Sequence, residues 1–137
     1  MSRSRNREEA FKLLYSIQLI KEQDETEQIE IFFEQENITD MEMQNYIKDI
    51  IYGVKEKNEE IEKQIEENIK SEWSISRISK IDLTLLKLGI FEILYSKLPY
   101  KVVINEVVEL AKKYGDENSK SFINGVLASI VKKNNIA

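Results

Sequence analysis

The sequence contains neither cysteine nor histidine. Without cysteine the chain can form no disulfide and offers no thiolate nucleophile. Without histidine it lacks the commonest general base and the commonest zinc ligand of proteins. A serine nucleophile would have no histidine partner, and no glycine-rich phosphate loop occurs. We therefore expect no catalytic activity, no cofactor and no metal site.

Proline and glycine are also scarce, with one Pro and four Gly among 137 residues. Residues that favour helices dominate, and the glycine and proline residues that usually mark turns between β-strands are nearly missing. No apolar run approaches the ~18 residues of a membrane span, and the arginine-rich start lacks an apolar signal core. The composition predicts an all-α protein that is soluble, cytoplasmic and without membrane contact.

Apolar residues recur at helical spacing along most of the chain and predict six helices. The last one runs through Asn124-Gly125, a pair that normally marks a β-hairpin, but helical periodicity continues across it. Gly53 interrupts the pattern of the long third helix, and a close crossing with another helix is expected at that point. The predicted ranges are about 4–21, 25–35, 41–69, 80–96, 101–114 and 118–133.

A hydroxyl-rich connection from Ser71 to Ser79 separates the third predicted helix from the fourth. For 137 residues one domain is the expectation. We therefore expect a single domain built from two packed three-helix subdomains, at about 1–70 and 71–137. The fourth helix, apolar nearly all round, should be the most buried one.

Charge is distributed unevenly along the chain, whose net charge is -5. Three arginines and no acid occur in the first seven residues. Residues 8–69 carry 18 acidic side chains against 6 lysines, and residues 70–137 carry 11 basic against 7 acidic ones. Because binding depends on the local field within a Debye length of ~8 Å, the basic arm and the second half can attract an anionic partner.

Three features could contact such a partner, and each also has an ordinary structural explanation. Arg3, Arg5 and Arg7 could bind phosphates, or they could be a frayed, solvated terminus. The segment from Gly115 to Lys120 offers amides, hydroxyls and a helix N-terminus that can hold phosphate, or it could be a simple capped turn. Aromatic side chains could stack on unpaired bases or fill the core; these are Tyr15, Tyr114 and Phe122.

Several motifs together resemble the NusB family over essentially the whole chain. The most specific begin at Pro99-Tyr100-Lys101-Val102-Val103-Ile104-Asn105-Glu106 and continue with Glu109-Leu110-Ala111-Lys112, Tyr114-Gly115 and Phe122-Ile123-Asn124-Gly125-Val126-Leu127. Matching positions in the first helix and the middle of the chain are Arg7-Glu8, Ala10, Leu14-Tyr15, Gln18, Trp73, Arg77-Ile78, Asp82, Leu86 and Glu92.

The resemblance implies an all-α fold of two three-helix halves and a role in transcription antitermination. It implies binding to the small-subunit ribosomal protein NusE, and binding by the pair to the single-stranded boxA RNA of ribosomal RNA operons. It also implies participation in the antitermination complex of RNA polymerase. A homodimer through apolar residues such as Leu98 or Tyr100 is possible.

The same resemblance places the functional residues. The basic arm falls on Arg3, Arg5 and Arg7, and the acid at which the partner protein docks falls on Asp82. The arm and the connection before the last helix are expected to form one RNA surface. The other RNA-facing candidates are Tyr15, Lys101, Lys113, Asn118, Ser119, Lys120, Phe122 and Asn124.

Two other functions stay open at this point. NusB-like domains also occur at the N-terminus of ribosomal RNA cytosine methyltransferases, so the chain could be an RNA-binding module associated with such an enzyme. Alternatively, it could be a helical scaffold that binds no RNA. The absence of a nucleotide-binding domain in the sequence argues against catalysis by this chain.

Overall fold

The computed structural model describes residues 3–70, 72 and 74–136. These residues form helices without any β-strand, so the all-α prediction is confirmed for this part of the chain. Ser71 of the predicted connection and Trp73 of the family motif lie outside the described residues. The α-helices are α1 (Arg3–Leu19), α2 (Glu25–Gln35), α3 (Met41–Glu56), α4 (Asn58–Glu67), α5 (Lys80–Leu94), α6 (Tyr100–Tyr114) and α7 (Ser119–Lys133), with a 3-10 turn at Ile75–Arg77.

The prediction of one long third helix is wrong. Helix α3 is continuous through Gly53 but ends at Glu56, and a separate helix, α4, begins at Asn58. Lys57 lies between them, and its φ of -97° and ψ of 11° are outside the helical range. Polar residues occupy positions 57 and 58, so the turn after Val54 has no apolar side chain to hold it to the core. Asn58 instead accepts a hydrogen bond from Lys87 Nζ at 2.7 Å.

Side-chain caps fix the starts of three helices. Asp24 Oδ2 accepts from the amide of Glu27 at 3.2 Å at the start of α2, and Asp40 Oδ2 accepts from the amide of Met43 at 2.9 Å at the start of α3. Ser79 Oγ accepts from the amide of Asp82 at 3.1 Å at the start of α5. Each bond satisfies an amide that has no partner within its own helix.

The chain divides into two compact units, Met1–Gly53 and Val54–Ala137. The division falls within α3, whereas the sequence suggested one near residue 70; the description as one domain with two subdomains stays a prediction. In the first unit α1 packs on α2. Its buried apolar side chains include Ala10, Leu13, Leu14, Ile29, Met43, Ile47 and Ile50.

Helix α5 is the centre of the second unit. It packs against α4, α6 and α7, and Leu85, Leu86 and Leu88 are fully buried, as the all-round apolar pattern predicted. Lys87 is also buried, and its ammonium group contacts Glu62 Oε2 at 2.9 Å. Within the part of the chain that the structure describes, no helix is both long and apolar enough to cross a membrane.

Candidate nucleic-acid interface

The connection between α6 and α7 is held by hydrogen bonds within itself. The amide of Gly115 donates to the carbonyl of Ala111 at 2.9 Å, and the amide of Asp116 donates to Ser119 Oγ at 3.0 Å. A Cβ at Gly115 would lie 2.9 Å from the Ala111 carbonyl oxygen and would collide with the Ser119 hydroxyl. Glycine is therefore needed here for close packing.

Asp116 already brings a negative charge to the N-terminus of α7. Its Oδ1 accepts a hydrogen bond from the amide of Asn118 at 2.8 Å and a weaker one from Ser119 Oγ at 3.3 Å. A phosphate at this end of the helix would meet a carboxylate rather than free amides. Of the two explanations that the sequence left open for this segment, these hydrogen bonds favour the capped turn over a phosphate-holding loop.

Ser119 is buried, with 1% of its surface exposed, so its side chain does not face a solvent-borne ligand. Its hydroxyl accepts from Asp116 and lies close enough to Asp82 to affect that carboxyl group. The prediction that Ser119 faces RNA is corrected for this reason. The residue positions the connection in which Asn118 and Lys120 are exposed.

Asp82 is 8% exposed and lies where α5 and α7 begin. Burial raises the pKa of its carboxyl group above the ordinary 3.8, the negative charge of Asp116 adds to this, and hydrogen bonds from Ser119 and Ser79 oppose it. Its Oδ1 is buried without a hydrogen-bond partner among the described residues. Asp82 is therefore largely buried, and its role in docking the partner protein stays a prediction.

A groove lies between the outer faces of α6 and α7. It has a volume of about 270 Å³. Lys101 and Asn105 are exposed at its edge and follow each other at the i, i+4 spacing, and Asn124 of α7 lines the other side. The remaining lining residues are Tyr100, Ile104 and Val108, all half-buried. The groove thus combines a cation, two amides and apolar surface.

Three other candidates of the second unit are exposed: Lys113, Asn118 and Lys120. Lys113 Nζ lies 5.4 Å from the centre of the Tyr114 ring. Phe122 is half-buried, so part of its ring is exposed to solvent, and exposed aromatic rings are the groups on which bases stack. Together with the groove, these residues present positive charge, amides and aromatic surface, which are the groups that bind unpaired nucleotides.

The four candidates of the first unit have different environments. Arg3 and Arg5 are exposed, and the guanidinium carbon of Arg3 lies 5.4 Å from the centre of the Tyr46 ring. Tyr15 is half-buried, and its ring stacks on Phe11 with centres 6.1 Å apart. Arg7 is only 1% exposed, so the prediction that it faces RNA is corrected. It lies on the buried side of α1 with Ala10, Phe11 and Leu14, a position that counting charges could not reveal.

Sequence reasoning missed Asn105 as a site residue. It was quoted only as part of the family motif. Its i, i+4 spacing from Lys101 could have indicated a shared site, because residues four apart lie on the same face of a helix. Tyr100 was noted only as an apolar residue for a homodimer. The structure places both in the groove with Asn124.

The fold and this surface define a class: helical proteins with a candidate nucleic-acid interface and no metal-binding cluster among the described residues. The sequence profile of the NusB family matches residues 4–132. The chain belongs to the NusB family.

Known relatives agree with this assignment. The transcription antitermination protein NusB of Clostridium novyi (strain NT) is 42% identical, over 96% of this chain and 99% of that protein. A structure of T. maritima NusB has a TM-score of 0.88 at 32% identity, over 97% of this chain and 92% of that one. A chain in the crystal structure of antitermination factors NusB and NusE in complex with dsRNA has a TM-score of 0.85 at 32% identity, over 97% and 99%.

Proposed function

We propose that this protein is a non-catalytic, RNA-binding transcription antitermination factor. The observation that carries the proposal is the family membership, combined with the relative whose structure contains NusE and RNA. The exposed lysines and amides along α6 and α7 support it, because they supply the two kinds of contact that RNA binding needs.

The RNA we propose is the single-stranded boxA segment of ribosomal RNA operons. Ammonium and guanidinium groups would neutralise phosphates, while amide side chains would read base edges. Arg3, Arg5, Lys101, Lys113 and Lys120 are the proposed phosphate contacts, since all five are exposed. Asn118, Asn124, Phe122 and Tyr15 are the proposed base contacts.

The protein partner we propose is NusE, with which the chain would join the antitermination complex of RNA polymerase. Residues 8–69 carry a large excess of acidic side chains, which favours a basic ribosomal protein and disfavours indiscriminate binding to RNA. The Asp82 carboxylate would act on this contact through the ends of α5 and α7 rather than by direct exposure.

A binding assay with boxA RNA, with and without purified NusE, tests the proposal. We expect measurable binding by the protein alone at low salt and tighter binding when NusE is present. A scrambled RNA of equal length should bind more weakly in both conditions. If boxA RNA does not bind at low salt with or without NusE, the chain is a helical scaffold and the proposal is rejected.

A further inference from the structure

Gly125 lies near the middle of α7, at a position where the described chain leaves room for a side chain. It does not have a positive φ, and a Cβ added there would meet no described atom within 4 Å. Gly89 of α5 differs, because a Cβ there would lie 3.1 Å from Leu127. Glycine weakens a helix relative to alanine, so its presence at an open surface position calls for a reason outside the chain.

The surroundings of Gly125 are the residues already placed in the interface. Helical spacing puts Ser121 and Phe122 one turn before it, on either side of the same exposed face. Asn124, its neighbour in sequence, lines the groove to α6. On the helix surface the open position therefore lies between Phe122 and Asn124, the residue that lines the groove.

The groove has the chemistry of a site for one base. Ile104 and Val108 supply apolar surface for the flat face of a ring, while Asn105 and Asn124 each offer an amide donor and a carbonyl acceptor. Those amide groups can pair with the edge of an unpaired base, and Lys101 at the edge can neutralise a phosphate.

We propose that one unpaired nucleotide of the bound RNA is seated here, with its base in the groove and its sugar-phosphate backbone crossing α7 at Gly125. Glycine permits this because a backbone without Cβ can be approached closely by a ligand. The inference rests on the RNA binding proposed above and adds Asn105 and Gly125 to its residues. Gly125→Ala should then make the protein more stable and its RNA binding weaker.

The test compares Gly125→Ala and Asn105→Ala with Val102→Ala as the control. Val102 is exposed on α6 and does not line the groove. Gly125→Ala should raise the melting temperature by roughly 3 °C. It should weaken boxA binding about tenfold, which corresponds to ~1.4 kcal/mol. Asn105→Ala should weaken binding about as much without raising the melting temperature, and Val102→Ala should bind like wild type.

A scan of boxA RNAs, each lacking one base, identifies the seated nucleotide. At one position the loss of the base should weaken wild-type binding, and Asn105→Ala should then cause no further loss. If Gly125→Ala and Asn105→Ala both bind RNA as well as wild type does, the proposed nucleotide site in the groove is rejected while the RNA-binding function stands. If wild type binds no RNA, both the proposed function and the proposed nucleotide site are rejected.

Discussion

The backbone amide of Asp116 donates a hydrogen bond to the hydroxyl of Ser119 at 3.0 Å. A residue expected to contact RNA thus holds the connection between α6 and α7 instead. Close packing at Gly115 depends on the same arrangement, since a Cβ there would strike the Ser119 hydroxyl. The geometry of the exposed residues Asn118 and Lys120 follows from these buried contacts.

Ser119→Ala should reduce the free energy of unfolding by about 1 kcal/mol, because the Asp116 amide loses its acceptor in a partly buried hydrogen bond. Gly115→Ala should cost a similar or larger amount through the collision with Ser119. In the double variant the collision is partly relieved. Its loss of unfolding free energy should therefore be smaller than the sum of the losses in the two single variants. Urea unfolding of the four proteins checks this; strictly additive losses would contradict the contact.

Arg7 and Arg5 should respond differently to replacement by alanine. Arg7→Ala removes a buried side chain and should lower the free energy of unfolding by roughly 2–4 kcal/mol through lost packing and a lost polar partner. Arg5→Ala, at an exposed position, should change it by less than about 0.5 kcal/mol but weaken RNA binding. Thermal unfolding and RNA titration of both variants separate the structural role of Arg7 from the RNA-binding role of Arg5. If the two variants were equally stable, the buried Arg7 side chain would not contribute to stability as expected.

Asp82 should make stability depend on pH. Since burial raises its pKa above 3.8 in the folded protein, the folded state binds more protons than the unfolded state between 3.8 and that raised value. This contribution to stability therefore falls as pH rises through that window and stays reduced above it. Asp82→Asn does not titrate, so its advantage over wild type should be largest at neutral pH and shrink as pH falls through the window. Urea unfolding from pH 3 to pH 8 measures the difference; a difference independent of pH would contradict the assignment.

Lys120 and Lys132 form a matched pair for the interface. Both are exposed lysines of α7, but Lys120 lies in its first turn beside the connection and Lys132 in its last turn. Lys120→Ala should weaken boxA binding roughly two- to fivefold, as expected of an exposed ion contact. Lys132→Ala should leave RNA binding unchanged. Fluorescence anisotropy at one salt concentration checks both, and equal losses would mean that only overall charge matters.

Helix positions followed well from the sequence because local signals and packing agreed. The range of α2 was predicted as it is observed, and α7 runs through Asn124-Gly125 despite the hairpin signal. The break at Lys57 was missed because Gly53 looked like the weaker point of the pattern. What decides the break is the polar pair at 57 and 58, with Asn58 bonded to Lys87, a residue 29 positions further along the chain.

The candidate site was only partly predictable, because residue type does not reveal burial. Arg7, Ser119 and Asp82 look like surface residues in the sequence, yet all three are buried. Each lies on the inward side of a helix or at a helix start, where a polar group can serve packing and capping. The groove could not be predicted without knowing that α6 packs against α7, because this packing brings Asn124 close to Lys101 and Asn105.

The salt dependence of boxA binding tests the central claim most directly. Five exposed cations are the proposed phosphate contacts: Arg3, Arg5, Lys101, Lys113 and Lys120. If about three to five phosphates are neutralised, a plot of log K against log salt should have a slope of roughly -2 to -3.5, by the rule for single strands. Lys120→Ala should reduce the steepness by about 0.7. A slope near zero, or one unchanged in Lys120→Ala, would contradict binding of RNA by these cations.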